Sequence, residues 1–175
     1  MPVNLNQTHF ELFGLPAHFA VDAAALEARY HELQSEVHPD RFAAAPEAER
    51  RVSMQLATRV NEAYQTLKSP LRRAVYILRL RGVDPELETN TAMPPGFLLE
   101  QMSWRERIEA GSEEPEALLQ LRAGLRGESR KIYEKLHGQL DEGRDDQAAR
   151  ETIRMLMFYE KLDDEIDDKL AELET

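Results

Sequence analysis

The sequence predicts an all-α protein folded as two helical units. Apolar residues recur at spacings of three and four along most of the chain, the period of a helix with one buried face. Alternating runs of β-branched residues, the mark of strands, do not occur. Charge is divided unevenly as well. Of 22 Lys+Arg and 33 Asp+Glu, residues 1–80 hold nine of each, so the whole net charge of −11 falls on residues 81–175. A chain of 175 residues can hold two small domains, and a change of charge balance at mid-chain favours that division.

Thr8 can cap a short helix through Leu12, ended by Gly14 and Pro16. Asp22 is an N-cap for the next helix, whose apolar face is Leu26, Tyr30, Leu33 and Val37. Pro39 stops it by disfavouring helical geometry in the residue before it, and residues 38–45 are expected to form a loop. Pro46 suits the first turn of a third helix, where a missing N–H costs nothing. The stripe of that helix is Val52, Leu56, Val60, Ala63 and Leu67. Ser69 and Pro70 break it, and a short helix then runs to Leu80 with Gly82 as its C-cap.

From Val83 to Pro95 the chain carries Pro85, Pro94 and Pro95 and little periodicity. This stretch reads as a linker, which divides the chain into a domain over 1–80, a linker over 81–95 and a domain over 96–175. Three longer helices follow. The first runs from about Gly96 to Ala110 with Gly111 as its stop. The second runs from Pro115 towards Leu140, with Gly143 after it. The third runs from about Asp146 to Glu174 on a stripe of Leu156, Tyr159, Leu162, Ile166, Leu170 and Leu173. Long helices with short connections bury their stripes against each other, so an antiparallel three-helix bundle is expected.

Composition removes several classes of function. Cysteine is absent, which excludes disulfides, thiolate metal sites and cysteine nucleophiles together. No apolar run approaches the roughly 18 residues of a membrane span. The opening MPVNLNQTHFELFGLP has neither the basic start nor the apolar core of a secretory signal, and no arginine precedes Arg29. A reducing cytoplasm is the expected compartment. The acidic second half should repel phosphate backbones, so neither nucleic acid nor a membrane is an expected partner.

The most informative residues are His38-Pro39-Asp40, placed between two amphipathic helices. Proline fixes the backbone and lowers the entropy cost of docking. Aspartate offers a carboxylate to an arginine, and histidine adds a compact donor and acceptor. Upstream stands Tyr30-His31-Glu32-Leu33, and downstream Asn61-Glu62-Ala63-Tyr64-Gln65-Thr66-Leu67. The arrangement resembles the J-domain, a helical hairpin with a His-Pro-Asp loop and an N-x-A-Y-x-x-L stretch late in its second long helix. Three further segments are similar to co-chaperones of the HscB type: Phe13 to Pro16, Ser69 to Leu78, and the stretch from Phe97 to Glu106 that reads FLLEQMSWRE. The glycine-rich and zinc-binding regions of ordinary J-proteins are missing.

This resemblance covers nearly the whole chain. It implies a J-domain followed by the C-terminal three-helix bundle of that family. It also implies two protein partners, a heat-shock-70-class ATPase chaperone (HscA or DnaK type) and an iron–sulfur cluster scaffold protein (IscU type). The chain would stimulate the ATPase and deliver the scaffold, assisting iron–sulfur cluster assembly, with no catalytic residue, metal or cofactor of its own. His38, Pro39 and Asp40, with Arg29, His31 and Arg41, would meet the chaperone. Leu98, Leu99, Met102, Arg105, Glu106 and Phe158 would meet the scaffold. The alternatives are a general J-domain co-chaperone for another client and a structural helical interaction protein.

The residues support the scaffold-binding helix independently. Phe97, Gln101, Trp104 and Ile108 share one face, and Leu98, Leu99 and Met102 lie beside it. A helix in a small bundle buries one stripe, so the second apolar set should meet water. Two departures from the family pattern stand out. Arg29, His31 and Arg41 are offset by Glu27, Glu32 and Glu36, and Ser103 stands where an acidic residue is usual. A hydrolytic pair of His38 and Asp40 is disfavoured, because neither G-x-S-x-G nor H-E-x-x-H occurs. His31 and His38 are two helical turns apart, too far to share an ion.

Overall fold

The computed structural model describes residues 4–85 and 95–174. The chain forms two compact units, one over Met1–Arg81 and one over Gly82–Thr175. The described residues are helical and contain no strand. Most of the expected linker, residues 86–94, lies outside them.

The first unit holds four helices: α1 (His9–Phe13), α2 (Ala23–Val37), α3 (Glu47–Lys68) and α4 (Pro70–Leu80). Three of the four starts are explained by side-chain caps. Thr8 and Glu11 form a reciprocal capping box on α1, Asp22 accepts from the N–H groups of Ala24 and Ala25, and Ser69 accepts from that of Arg72. Gly14 and Gly82 close α1 and α4 at φ of 66° and 75°, left-handed values that glycine adopts without a Cβ penalty. Helices α2 and α3 pack on each other, and Leu26, Leu33 and Val37 of α2 and Val60, Ala63, Tyr64 and Leu67 of α3 are buried.

Three expectations for this unit need correction. Pro46 is the cap of α3 rather than its first residue, because the helix begins at Glu47. The loop over 38–45 contains one tight 3₁₀ turn, Pro39–Phe42. Val52 is 47% exposed and does not join the α3 stripe; its neighbour Ser53 is buried instead.

His9 is buried, with its ring stacked on Tyr76 at 4.3 Å between centroids. Burial, seconded by the nearby Arg59 cation and opposed by Glu62, holds its pKa below the ordinary 6.5. The fold therefore favours neutral imidazole, and the unfolded chain takes up the proton first. Stability contributed at this site should fall as pH drops through 6.5 towards the depressed folded value, and the loss is complete below it. Urea unfolding followed by circular dichroism at pH 7.5 and 5.5 measures this. His9→Phe, which keeps an aromatic ring against Tyr76, should flatten the dependence.

The second unit is an antiparallel bundle of α5 (Pro95–Ala110), α6 (Pro115–His137) and α7 (Asp146–Leu173). Its core includes Phe97, Trp104 and Ile108 from α5, Leu118, Leu121 and Leu125 from α6, and Tyr159, Leu162 and Ile166 from α7. Arg126 forms a bidentate pair with Asp163, both short contacts at 2.8 Å, and Arg122 pairs with Asp167, so α6 and α7 are cross-linked along their exposed edge. The α7 stripe fades at its end: Leu170 is partly buried and Leu173 is exposed.

Helix α6 does not continue to Leu140 as expected. It passes at His137 into a π turn over Gly138–Glu142, and the Gly143 N–H donates to the Gly138 carbonyl at 2.8 Å, five residues back. Leu140, within the turn, remains fully buried.

Candidate functional site: an exposed corner and an apolar helix face

The His38-Pro39-Asp40 corner sits where α2 ends. Pro39 forces His38 out of helical geometry, and His38 has φ −59° and ψ 128°. Its Nδ1 then accepts from the Asp40 backbone N–H at 3.2 Å. A ring nitrogen that accepts carries no proton, so the neutral imidazole presents its N–H at Nε2. The turn is held by the Arg41 N–H donating to the His38 carbonyl at 3.0 Å. The Asp40 side chain is 91% exposed, with His38 Nδ1 3.6 Å away. A rigid turn thus presents a carboxylate and an imidazole donor to solvent.

The hairpin beneath this corner is stiff for identifiable reasons. Tyr30 and Tyr64 stack at 3.9 Å with 7° between their planes. The Tyr30 hydroxyl donates to Asn61 Oδ1 at 2.8 Å and accepts from Gln34 Nε2 at 2.8 Å. Ala63 and Leu67 are fully buried. The N-x-A-Y-x-x-L stretch is therefore the α3 side of the α2–α3 contact: Asn61 and Tyr64 bind Tyr30, Ala63 permits close approach, and Leu67 fills the core. Ser53 completes the support. Its hydroxyl donates to the Val37 carbonyl at 2.8 Å, satisfying the last residue of α2 beside the corner.

The basic side chains expected to assist are unequally placed. Arg41 lies at the corner but folds back, donating to the Ser35 carbonyl at 3.1 Å. Arg29 is nine residues before His38, about 13 Å along a helix axis. It is engaged by Glu32 at 3.0 Å and Glu36 at 3.4 Å. His31 is exposed on α2. Sequence reasoning missed Ser53, the residue that secures the corner from below; a polar residue next to an apolar stripe was the available signal.

In the second unit, α5 is apolar on two sides. Phe97, Trp104 and Ile108 are buried, whereas Leu98, Leu99 and Met102 are 46%, 69% and 59% exposed. Arg105 and Glu106 are exposed one turn further on. Phe158 of α7 borders this face and is only partly buried: its ring meets Phe97 edge-on at 5.6 Å, and the Arg105 guanidinium lies 5.7 Å from its centroid. Arg105 also approaches Glu165 at 3.8 Å. Ser103 is exposed beside Met102.

The face is pinned from behind by Tyr159. Its hydroxyl donates to Glu100 of α5, while its ring packs against Trp104 at 6.2 Å. Burial, reinforced by the Glu100 carboxylate, pushes the Tyr159 phenol above its ordinary range. Tyr159→Phe removes the hydrogen bond and keeps the ring. It should cost about 1–2 kcal/mol of stability, read as a lower urea midpoint with an unchanged denaturant slope.

Among the described residues, no group of three or more His, Cys, Asp or Glu could hold a metal ion, and no helix is long and apolar enough to cross a membrane.

Comparison with known proteins decides the family. Over its full length the chain is 53% identical to the co-chaperone protein HscB homolog of Aromatoleum aromaticum, with all of both chains covered. The chain belongs to the HscB co-chaperone family. The HscB homolog of Burkholderia mallei is 55% identical over 98% of this chain and 99% of its own. Residues 93–167 match the HSCB C-terminal oligomerisation domain. Among solved structures, the chaperone HscB of Vibrio cholerae superposes with a TM-score of 0.84 at 38% identity, covering 95% of this chain and 99% of its own. The human co-chaperone HscB gives 0.88 at 30% identity, covering 95% and 83%. The HscB architecture, a J-domain followed by a C-terminal helical domain, is the one described above.

Proposed function

We propose that this chain stimulates the ATPase of a heat-shock-70-class chaperone (HscA or DnaK type) through His38, Pro39 and Asp40, and delivers to it an iron–sulfur cluster scaffold protein of the IscU type. Residues 1–80 act on the chaperone and residues 96–175 hold the scaffold. The observation that carries this is the Asp40 carboxylate, 91% exposed on a fixed turn, in a chain of the HscB family. Such a group is free to pair with an arginine on a partner. The α5 face of Leu98, Leu99 and Met102, with Phe158 and the charges of Arg105 and Glu106 at its edge, has the make-up of an interface: apolar at the centre and polar at the rim. Arg29 and Arg41 are engaged within the chain, so their role at the chaperone is steering rather than anchoring. The chain does no chemistry in this reading; it joins two proteins.

The test is a steady-state ATPase assay on the purified chaperone, with this chain and with the scaffold added in turn. The chain alone should raise the rate, and the scaffold should raise it further. No stimulation would sink the co-chaperone assignment. Stimulation that ignores the scaffold points to a general J-domain co-chaperone with another client.

A further inference from the structure

We infer that Met102 is an oxidation site that weakens scaffold docking when its thioether becomes a sulfoxide. The inference rests on the docking role proposed above for the α5 face. The chain has no cysteine, so the usual thiol sensors of peroxide are missing and thioethers are the sulfur groups left to react. Among the described methionines, Met54 and Met102 are well exposed, at 61% and 59%, while Met155 and Met157 are partly buried. Met54 is on α3 in the first unit. Met102 stands between Leu98 and Leu99 one turn before it and Arg105 and Glu106 one turn after, inside the apolar face.

The chemistry is a two-electron oxygen transfer. A hydroperoxide delivers one oxygen to sulfur; the O–O bond breaks, an S=O bond forms, and water or an alcohol leaves. Sulfur is oxidised and the peroxide reduced. The product is polar and chiral where the parent was apolar and pliable. In the free protein the sulfoxide stays in water, so the fold is unaffected. In the complex it must be desolvated among leucines without a designed partner, which disfavours docking. A sulfoxide reductase acting with a thiol reductant reverses the change. Supply of scaffold to the chaperone would then fall under peroxide and recover afterwards.

The test uses the full chain and its purified scaffold protein. Dilute hydrogen peroxide is applied, oxidation at each methionine is read by peptide mass spectrometry, and affinity is measured by titration calorimetry. Oxidised parent should bind about tenfold more weakly with an unchanged circular dichroism spectrum. Met102→Leu, whatever its starting affinity, should bind equally before and after peroxide. Met54→Leu should lose affinity as the parent does. Met102→Gln should bind weakly without any peroxide. Equal affinity for parent oxidised at Met102, or equal loss in Met102→Leu, overturns the inference alone. If the untreated parent does not bind the scaffold at all, the docking assignment fails first and the inference with it.

Discussion

Asp40→Asn should lower chaperone ATPase stimulation by about thirtyfold or more while leaving the melting temperature of the chain unchanged. The substitution keeps the shape of the side chain and removes its charge. A carboxylate buried against an arginine at an interface leaves that arginine unpaired when neutralised, a loss of about 2–5 kcal/mol. Within the chain the same side chain is 91% exposed, with the His38 ring 3.6 Å away, so its neutralisation should change stability by less than about 0.5 kcal/mol. Scaffold binding, assigned to the other unit, should not change. Single-turnover hydrolysis, thermal melting and scaffold titration on one preparation check the three parts together. Stimulation equal to the parent would remove the corner from the mechanism. Ser53→Ala provides the contrast: its buried hydroxyl bonds the Val37 carbonyl, so it should cost stability as well as activity.

The second large effect separates the two sides of α5. Leu98 and Leu99, replaced together by alanine, should weaken scaffold binding by more than tenfold, because a few apolar anchors dominate an interface. They are exposed, leave no cavity, and should barely move the thermal midpoint. Trp104→Ala should do the reverse: the ring is buried against Tyr159 and beside Gly124 of α6, so its removal should cost about 3–5 kcal/mol through cavity formation. Phe158 belongs to neither class. It packs edge-on against Phe97 and still borders the surface, so Phe158→Ala should lower both stability and binding and is best kept out of the surface set. Calorimetry of folding and of binding on the two variant sets decides the matter. An early-melting Leu98/Leu99 variant beside an unaffected Trp104→Ala would show the faces assigned the wrong way round.

The ends of the elements were legible because local chemistry marks them. Thr8, Asp22 and Ser69 bind the N–H groups that the first turn of a helix leaves free. Gly14 and Gly82 supply the left-handed residues that close one. The buried side of α5 was legible too, since Phe97, Trp104 and Ile108 fall at helical spacing and are the bulkiest set. What failed depends on position in space. Val52 lies on the arithmetic stripe of α3, yet near that end the helix faces the last carbonyl of α2, and a hydroxyl serves there better than a methyl group. The turn at Pro39–Phe42 is closed by the His38 and Asp40 carbonyls and capped by the His38 ring, and histidine is not among the residues whose presence ordinarily marks a cap. Composition also could not show that Arg29 and Arg41 are engaged at home. The offsetting charges of Glu27, Glu32 and Glu36 are visible in the sequence, but that Glu32 and Glu36 hold Arg29 is geometry, and the carbonyl that receives Arg41 is a backbone atom. The roles of the corner and of the α5 face were suggested by likeness to a family and await the two experiments above.

The π turn over Gly138–Glu142 has a consequence for how this protein tolerates changes of length. A π turn accommodates one residue more than an α turn does, so a single-residue deletion within it would let α6 run on with regular hydrogen bonds. Five residues of a π turn and four of an α turn sweep about the same angle around the axis, so whatever follows such a deletion would keep nearly its phase. A deletion at Asp141 or Glu142 would leave the buried Leu140 in the core and the entry to α7 at Asp145 and Asp146 aimed nearly as before. The irregular turn absorbs one residue, whereas a deletion in the regular part of α6 would turn everything after it by about 100°.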